Sequence, residues 1–398
     1  MYSPMITKKI PQTDPLSSYR AYQSEINEAI QQVLESGFYV LGEPVEAFEQ
    51  EFSSYLGTNY GIGVASGTDA LVIALRACGV GAGDVVLTVS HTAVATVAAI
   101  ELTGATAFLV DVDAASFTIN CDRLAEAIVH VLNTPSLGRL KAIVPVHLYG
   151  HSADLPAIMQ LADQYDLYVV EDCSQAHGAA LNQRKVGTWG HCAAFSCYPT
   201  KNLGAIGDAG IIVTRDPDLA QQCQRIRQYG WATRYISDTP GMNSRLDALQ
   251  AAILRVKLKY LDADNTQRQA IALHYSQKLQ NLPLQLPETG PGVFHSYHQF
   301  VLRVGQRDAM FAFLQGQGIG VGLHYPLPVH LQPAYQGRLP LAPGGLPVTE
   351  QLSQEIISLP MYPCLSTDAM DTTELAIVNW YSEPGRSSDN SIGVTRAG

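Results

Sequence analysis

Three short stretches bring together residue types that could do chemistry side by side. In FSCYPTKNLGAIGDAG (195–210) an apolar run ends in a Ser/Pro/Thr turn, followed by Lys201 and a glycine-rich loop. An isolated lysine is ordinarily a solvated surface residue. One hemmed in by a buried strand and small residues loses proton affinity, and its neutral amine can form a Schiff base with a carbonyl. In LYVVEDCSQAHGA (167–179) four apolar residues lead into Glu171 and Asp172. Successive strand residues face opposite ways, so only one of these carboxylates is expected to face a site. There it could keep a pyridine nitrogen protonated; the plainer role is a helix cap by Asp172 or Ser174. YGIGVASGTDALVIAL (60–75) reads as strand, then Ser66, Gly67 and Thr68, then helix. Backbone N–H groups at a helix start bind phosphate, and a glycine there lets the anion approach; simple capping by Ser66 or Thr68 is the alternative.

A strand-end carboxylate, a strand-end lysine and a phosphate-binding helix start match the ring nitrogen, aldehyde and phosphate of pyridoxal 5′-phosphate (PLP). The nearest dinucleotide fingerprint, Gly61-x-Gly63-x-x-Ser66, lacks its third glycine, and Gly79-x-Gly81-x-Gly83 follows a helix instead of a strand. No metal site is expected, since the eleven histidines include no HExxH, and His295-x-x-His298 has no matching Cys or acidic partners.

These residues need elements to hold them. Apolar runs predict buried strands at Tyr60–Val64, Val85–Val89, Ala107–Val110, Ala142–Val146, Tyr168–Val170, Ala193–Ser196 and Ile211–Val213. Helical stretches fall between most of them, at Asp69–Cys78, Val94–Leu102, Asp122–Leu132 and Leu155–Gln164. That alternation predicts an α/β fold with a mostly parallel seven-stranded central sheet. Helices are also expected over Ser17–Ser36 and Pro44–Tyr55, and Ser244–Gln280 reads as one long helix or two in sequence. The expected division is a large α/β domain with an N-terminal helix over 1–245, a smaller C-terminal α+β domain over 246–382, and a polar, disordered tail over 383–398.

With 46% hydrophobic and 15% charged residues, the 398-residue chain has material for an extensive core, which disordered chains lack. A net charge of −11 argues against nucleic acid as a partner. The N-terminal stretch has no signal-peptide core and no run is long enough to span a membrane. Seven scattered cysteines without a CxxC pair fit reduced thiols, so a cytoplasmic protein is expected.

Taken in order, SGTDAL, PVHLYGH, EDCSQAHGA, FSCYPTKNLGAIGDAG, GMNSRLDALQAAILRVKL, HYPLPVHLQPAY and SLPMYP resemble the nucleotide-sugar aminotransferases of the DegT/StrS type, from about Gly37 to Pro363. The resemblance implies a PLP-dependent transferase of fold type I, a homodimer with active sites shared across the subunit interface. By the same resemblance Lys201 is the Schiff-base lysine and Asp172 the partner of the pyridine nitrogen. Gln175 lies beside the ring hydroxyl. Gly67, Thr68 and Ser196 (with Ser66) cradle the phosphate, and Asn243 reaches the phosphate from the neighbouring subunit. His324 and Tyr325 stand where the small domain meets substrate. Related dehydratases carry histidine at the lysine position, so Lys201 favours transamination. One departure is SHTAVATVAAI (90–100), which puts Ala93 where relatives stack an aromatic residue on the cofactor ring. His91 is the candidate to supply that contact, with a neighbouring loop as the alternative.

The expected reaction takes an amino group from L-glutamate to a nucleotide-linked keto sugar. A 3-keto-6-deoxy dTDP-sugar is favoured because HTAVATVAAIE and YGWATRYIS resemble relatives acting at that position. Tyr229, Trp231, Arg234 and Tyr235 could form a loop that stacks a base and pairs with a diphosphate; an ordinary aromatic loop is the alternative. Alternatives are a 4-keto sugar nucleotide, a cyclitol ketone, and a PLP-binding regulator without turnover; the chain has no basic helix-turn-helix extension for the last.

Overall fold

Seven apolar runs pair into one sheet in the computed structural model, which describes residues 9–383. In spatial order the strands are Tyr60–Val64, Gly210–Thr214, Cys192–Ser196, Tyr168–Asp172, Arg139–Ile143, Asp84–Val89 and Thr106–Val110. They are the seven segments expected from sequence, with shifted ends. Gly210–Thr214 runs against both of its neighbours, while the other six strands point one way. Six carboxyl ends therefore share one edge of the sheet, which is where open α/β sheets place ligands. Val64, Ser196 and Asp172 all end there, on strands separated only by the reversed one.

Burial on both faces explains why the strands read as continuous apolar runs. Cys192 and Ala194 pack into one layer with helices Gly67–Ala77 and Pro217–Ile226. Ala193 and Phe195 pack into the other, with helices Glu43–Leu56 and Ala248–Leu258. Side chains alternate across the pleat, so one strand supplies both cores. Helix Ala248–Leu258 was expected beyond a boundary at residue 245, but it packs against the large body, on helices Glu43–Leu56 and Gln23–Ser36. Helix Leu261–Leu279 instead shares a separate core with helices Arg307–Gly316 and Thr367–Ser382 and the antiparallel pair Phe300–Arg303 and Ile356–Leu359.

Two helices depart from the simplest reading of the pattern. Over 17–36 the helix breaks at Tyr22 (φ −123°, ψ 22°), giving Pro15–Ala21 and Gln23–Ser36. The Tyr22 ring stacks on Tyr260 at 4.1 Å and its hydroxyl donates to Asp264 Oδ1 at 2.7 Å, long-range contacts that no local periodicity encodes. Over 244–280 the second of the two expected forms is found, divided at Lys259 and Tyr260.

Residues 9–14 form a strap along the small body. Ile10 N donates to Gly318 O, Gly320 N to Ile10 O, and Met361 N to Gln12 O. Among the described residues no helix is long and apolar enough to cross a membrane. All seven cysteines are free thiols. The tail expected over 383–398 lies outside the described residues, Glu383 apart.

Candidate active site

The shared carboxyl edge opens into a cavity of about 470 Å³, in the range that holds small ligands. Its walls bring together Ser66, Gly67, Thr68, Asp172, Gln175, Ser196, Lys201, His324 and Tyr325, nine residues singled out in the sequence.

Lys201 follows strand Cys192–Ser196 on a loop closed by backbone bonds from Lys201 N to Tyr198 O and from Ala205 N to Cys197 O, both 2.8 Å. Burial pushes its ammonium pKa from 10.5 down to about 8, against the pull of Asp172 and Cys197. A lysine so placed supplies neutral amine near neutral pH.

Glu171 and Asp172 do face opposite ways. Glu171 is fully buried and accepts backbone N–H groups of Gly187 (2.7 Å), Trp189 and Gly190 (both 2.8 Å). His147 Nδ1 accepts from Ala153 N, so its Nε2 carries the proton donated to Glu171 at 3.0 Å. Burial raises the Glu171 carboxyl, but His147 and the Gly190 and Gly187 N–H groups outweigh it and leave the pKa below the ordinary value. Glu171 thus locks the turn at 187–190, while Asp172 lines the cavity. No helix follows Asp172. One of its oxygens accepts Ser174 N at 3.1 Å and the other accepts Thr96 Oγ1 at 2.8 Å. Each oxygen keeps a lone pair for a cationic N–H in the cavity.

Ser66 caps helix Gly67–Ala77, its Oγ accepting Asp69 N at 3.1 Å. The N–H groups of Gly67 and Thr68 find no acceptor among the described residues, and both residues line the cavity. The cap and the anion site therefore coexist, because they use different N–H groups of one helix end. A Cβ built at Gly67 would lie 2.4 Å from Ser196 Cβ, so only glycine lets the helix start close on Ser196. Gln175 is fixed at both ends: Oε1 accepts Tyr149 N at 2.8 Å and Nε2 donates to Tyr325 OH at 3.0 Å. Burial, then Asp172, pushes the Tyr325 hydroxyl up to about 12, so it stays protonated. Burial and Lys201 hold the His324 imidazole down to about 4, neutral at neutral pH.

The amine, the carboxylate and the free helix-start N–H groups are the three groups PLP requires, so the residues present fit that cofactor.

Other expectations land elsewhere. His91 does not line the cavity; it is buried behind the wall, with Nε2 at 2.9 Å from Tyr149 OH and its ring against Phe117. It cannot supply the ring contact there, and the wall at that point is Thr92, Ala93 and Ala95. Tyr229, Trp231 and Arg234 lie in and beside the small hairpin Trp231–Thr233 and Ile236–Ser237, off this chain's own cavity. Asn243 is exposed beside Ser244, whose Oγ accepts Ala65 N and donates to Asp69 Oδ2. Sequence reasoning missed Thr96, Gln12, Thr13, His298 and Gln299. A signal existed for Thr96: it is a polar residue in a strongly apolar helix, four residues after Thr92, with which it shares a hydrogen bond.

A family model described as the DegT/DnrJ/EryC1/StrS aminotransferase family matches residues 20–377. The chain is 43% identical over 360 residues to the dTDP-3-amino-3,4,6-trideoxy-alpha-D-glucose transaminase of Streptomyces venezuelae, covering 90% of this chain and 93% of that one. It is 41% identical over 354 residues to the UDP-N-acetyl-3-dehydro-alpha-D-glucosamine 3-aminotransferase of Acidithiobacillus ferrooxidans, covering 89% and 93%. The crystal structure of DesV from S. venezuelae matches with a TM-score of 0.90 at 42% identity, covering 95% of this chain and 100% of that one.

Proposed function

The chain belongs to the DegT/DnrJ/EryC1/StrS aminotransferase family, and from that premise we propose that it moves an amino group from L-glutamate to a 3-keto-6-deoxy sugar carried on dTDP. It is a sugar aminotransferase of the PLP-dependent fold-type-I class. Both relatives named above are described by amination at carbon 3 while differing in nucleotide, which supports the ring position more strongly than the carrier.

The observation that carries the reading is the meeting of Lys201 and Asp172 in one cavity beside a helix start with free N–H groups. PLP, when bound, supplies an aldehyde that captures amines and a ring that draws off electron density. Lys201 Nζ would anchor it, and the same amine would carry the proton between the two carbons that exchange the amino group. Asp172, aimed by Thr96 and Ser174, holds the ring nitrogen in its protonated form. Gly67, Thr68 and Ser196 receive the phosphate. Asn243 and the hairpin residues Tyr229, Trp231 and Arg234 act on the active site of a second copy in a cytoplasmic homodimer; the exposure of Asn243, Tyr229 and Arg234 and the absence of all four from the lining of their own cavity support this.

Reduction of the purified holoenzyme with borohydride, followed by peptide mapping, should place the cofactor on Lys201. L-Glutamate should be converted to 2-oxoglutarate in a half-reaction that Lys201→Ala does not perform. A cofactor mapped to another residue sinks the reading. Acceptors are then ranked with a panel of 3-keto and 4-keto nucleotide sugars, locating the new amine by NMR.

A further inference from the structure

Besides the helix start and Asp172, the cavity is lined by Gln12 and Thr13 of the strap and by His298, Gln299 and His324 of the small body. This wall is joined by hydrogen bonds whose direction can be read from its anchored end. Asn202, next to Lys201, donates its Nδ2 to Asn265 Oδ1 (2.8 Å) and Ser296 O (2.9 Å). Its Oδ1 must therefore accept, and His298 Nδ1, 3.2 Å away, is the donor. His298 Nε2 is then an acceptor, facing Gln299 Nε2 at 3.5 Å. Gln299 Oε1 in turn accepts Gln12 Nε2 at 2.6 Å.

Counting atoms along this chain leaves two groups over. Gln12 Nε2 spends its hydrogens on Gln299 and on Leu359 O (3.4 Å), so its Oε1 is an acceptor with no partner among the described residues. Gln299 Nε2 has one hydrogen beyond the one directed at His298. Acceptor and donor stand on side chains 2.6 Å apart, on a wall whose two imidazoles are kept neutral by burial and by Lys201. A neutral acceptor–donor pair suits a hydroxyl, which donates to one and accepts from the other. It does not suit a phosphate or carboxylate, which only accept.

We infer that Gln12 and Gln299 together read a ring hydroxyl of the amino acceptor, which makes Gln12, on the N-terminal strap, a specificity-determining residue. This rests on the keto-sugar reading above. A pocket built to bond a hydroxyl rejects the analogue lacking it, because its own polar groups are then left unpaired. The 2- and 4-hydroxyls flank carbon 3, and the pair reads one of them.

The test is calorimetric binding of dTDP-3-amino-3,6-dideoxyglucose and its 2-deoxy and 4-deoxy analogues to the holoenzyme. Wild type should bind the parent at least about tenfold more tightly than one of the two analogues, the size of two neutral hydrogen bonds. Gln12→Ala should shrink that gap by removing one of the two bonds, while binding the discriminated analogue at least as tightly as wild type does, the signature of a pairwise contact. Gln12→Met, which keeps the side chain's bulk under the strap, should behave the same way and covers the case in which the alanine variant folds poorly. Equal weakening of all three ligands by both variants would mean that Gln12 only ties down the strap, and the inference falls; a gap left intact also ends it. The L-glutamate half-reaction, run in parallel, separates the two levels: its absence in wild type defeats the aminotransferase reading itself. If it runs normally in every variant while the hydroxyl preference is unmoved, only the role of Gln12 is lost. If wild type binds none of the three ligands, the acceptor reading and the inference fail together.

Discussion

Lys201 and Asp172 owe their chemistry to what holds them, and two expectations follow at the scale of single side chains. The pKa of Lys201 falls from 10.5 to about 8 mainly through burial. Between those values the unfolded chain binds more protons than the folded one, so this residue's penalty on stability is full below pH 8 and vanishes as pH rises to 10.5. Apoprotein carrying Lys201→Met should therefore have a higher urea midpoint than wild-type apoprotein at pH 7.5, with the difference closing toward pH 10.5. A difference that does not change with pH would contradict this. Thr96 is a positioning residue acting through Asp172. Losing a bond to a charged group costs about 1.5–3 kcal/mol, so Thr96→Val should lower kcat roughly tenfold or more and shift the pH profile of the cofactor's absorbance. Thr96→Ser should restore both, and Asp172→Asn should be far more damaging than either. His91 shows where residue-level reading ends. Beyond the end of strand Asp84–Val89 no periodicity fixes which way a side chain points, and the hydroxyl that holds its ring belongs to Tyr149, 58 positions along the chain.

At the scale of elements the sequence was most informative where burial is two-sided. All seven strands were legible as apolar runs, and so were the turns carrying Ser66, Asp172 and Lys201, because strand ends and helix starts have local signatures. The reversal of strand Gly210–Thr214 was not legible, since parallel and antiparallel neighbours can carry the same Val/Ile-rich run. The strap residues were not legible either, being single polar positions given meaning by partners hundreds of residues away. The junction between helix Gly67–Ala77 and strand Cys192–Ser196 makes the sharpest prediction here. Gly67→Ala would set a methyl 2.4 Å from Ser196 Cβ and 2.9 Å from its backbone Cα. Overpacking of this kind costs about 1–3 kcal/mol. The helix start must also withdraw from the phosphate position, so PLP affinity should fall at least roughly tenfold by fluorescence titration. Unchanged affinity would place the phosphate elsewhere.

Across the whole molecule, a buried ion pair fixes strand Tyr60–Val64 to the helices around it. Arg227, at the end of helix Pro217–Ile226, donates to Glu49 of helix Glu43–Leu56 and to Gly63 O (2.8 Å), while Glu49 also accepts Gly63 N (2.7 Å). Both side chains are buried. Arg227→Met would leave a carboxylate unpaired in the interior, at a cost of about 3–5 kcal/mol. The loss should appear as a lower urea midpoint, and a change under about 1 kcal/mol would show that the pair contributes little. The cavity itself is a joint construction: the large body carries the groups that fit the cofactor, and the small body and strap furnish Gln12, Thr13, His298, Gln299 and His324 of its lining. The strap has a further consequence. It crosses the small body as a short ribbon, makes no hydrogen bond to Lys201 or Asp172, and is tied to its neighbours by backbone bonds at Ile10 and Gln12 that are indifferent to side-chain identity. Acceptor choice is therefore open to change by mutation in half a dozen residues that leave Lys201 and Asp172 in place, and grafting residues 9–14 between relatives is a direct way to watch such a change.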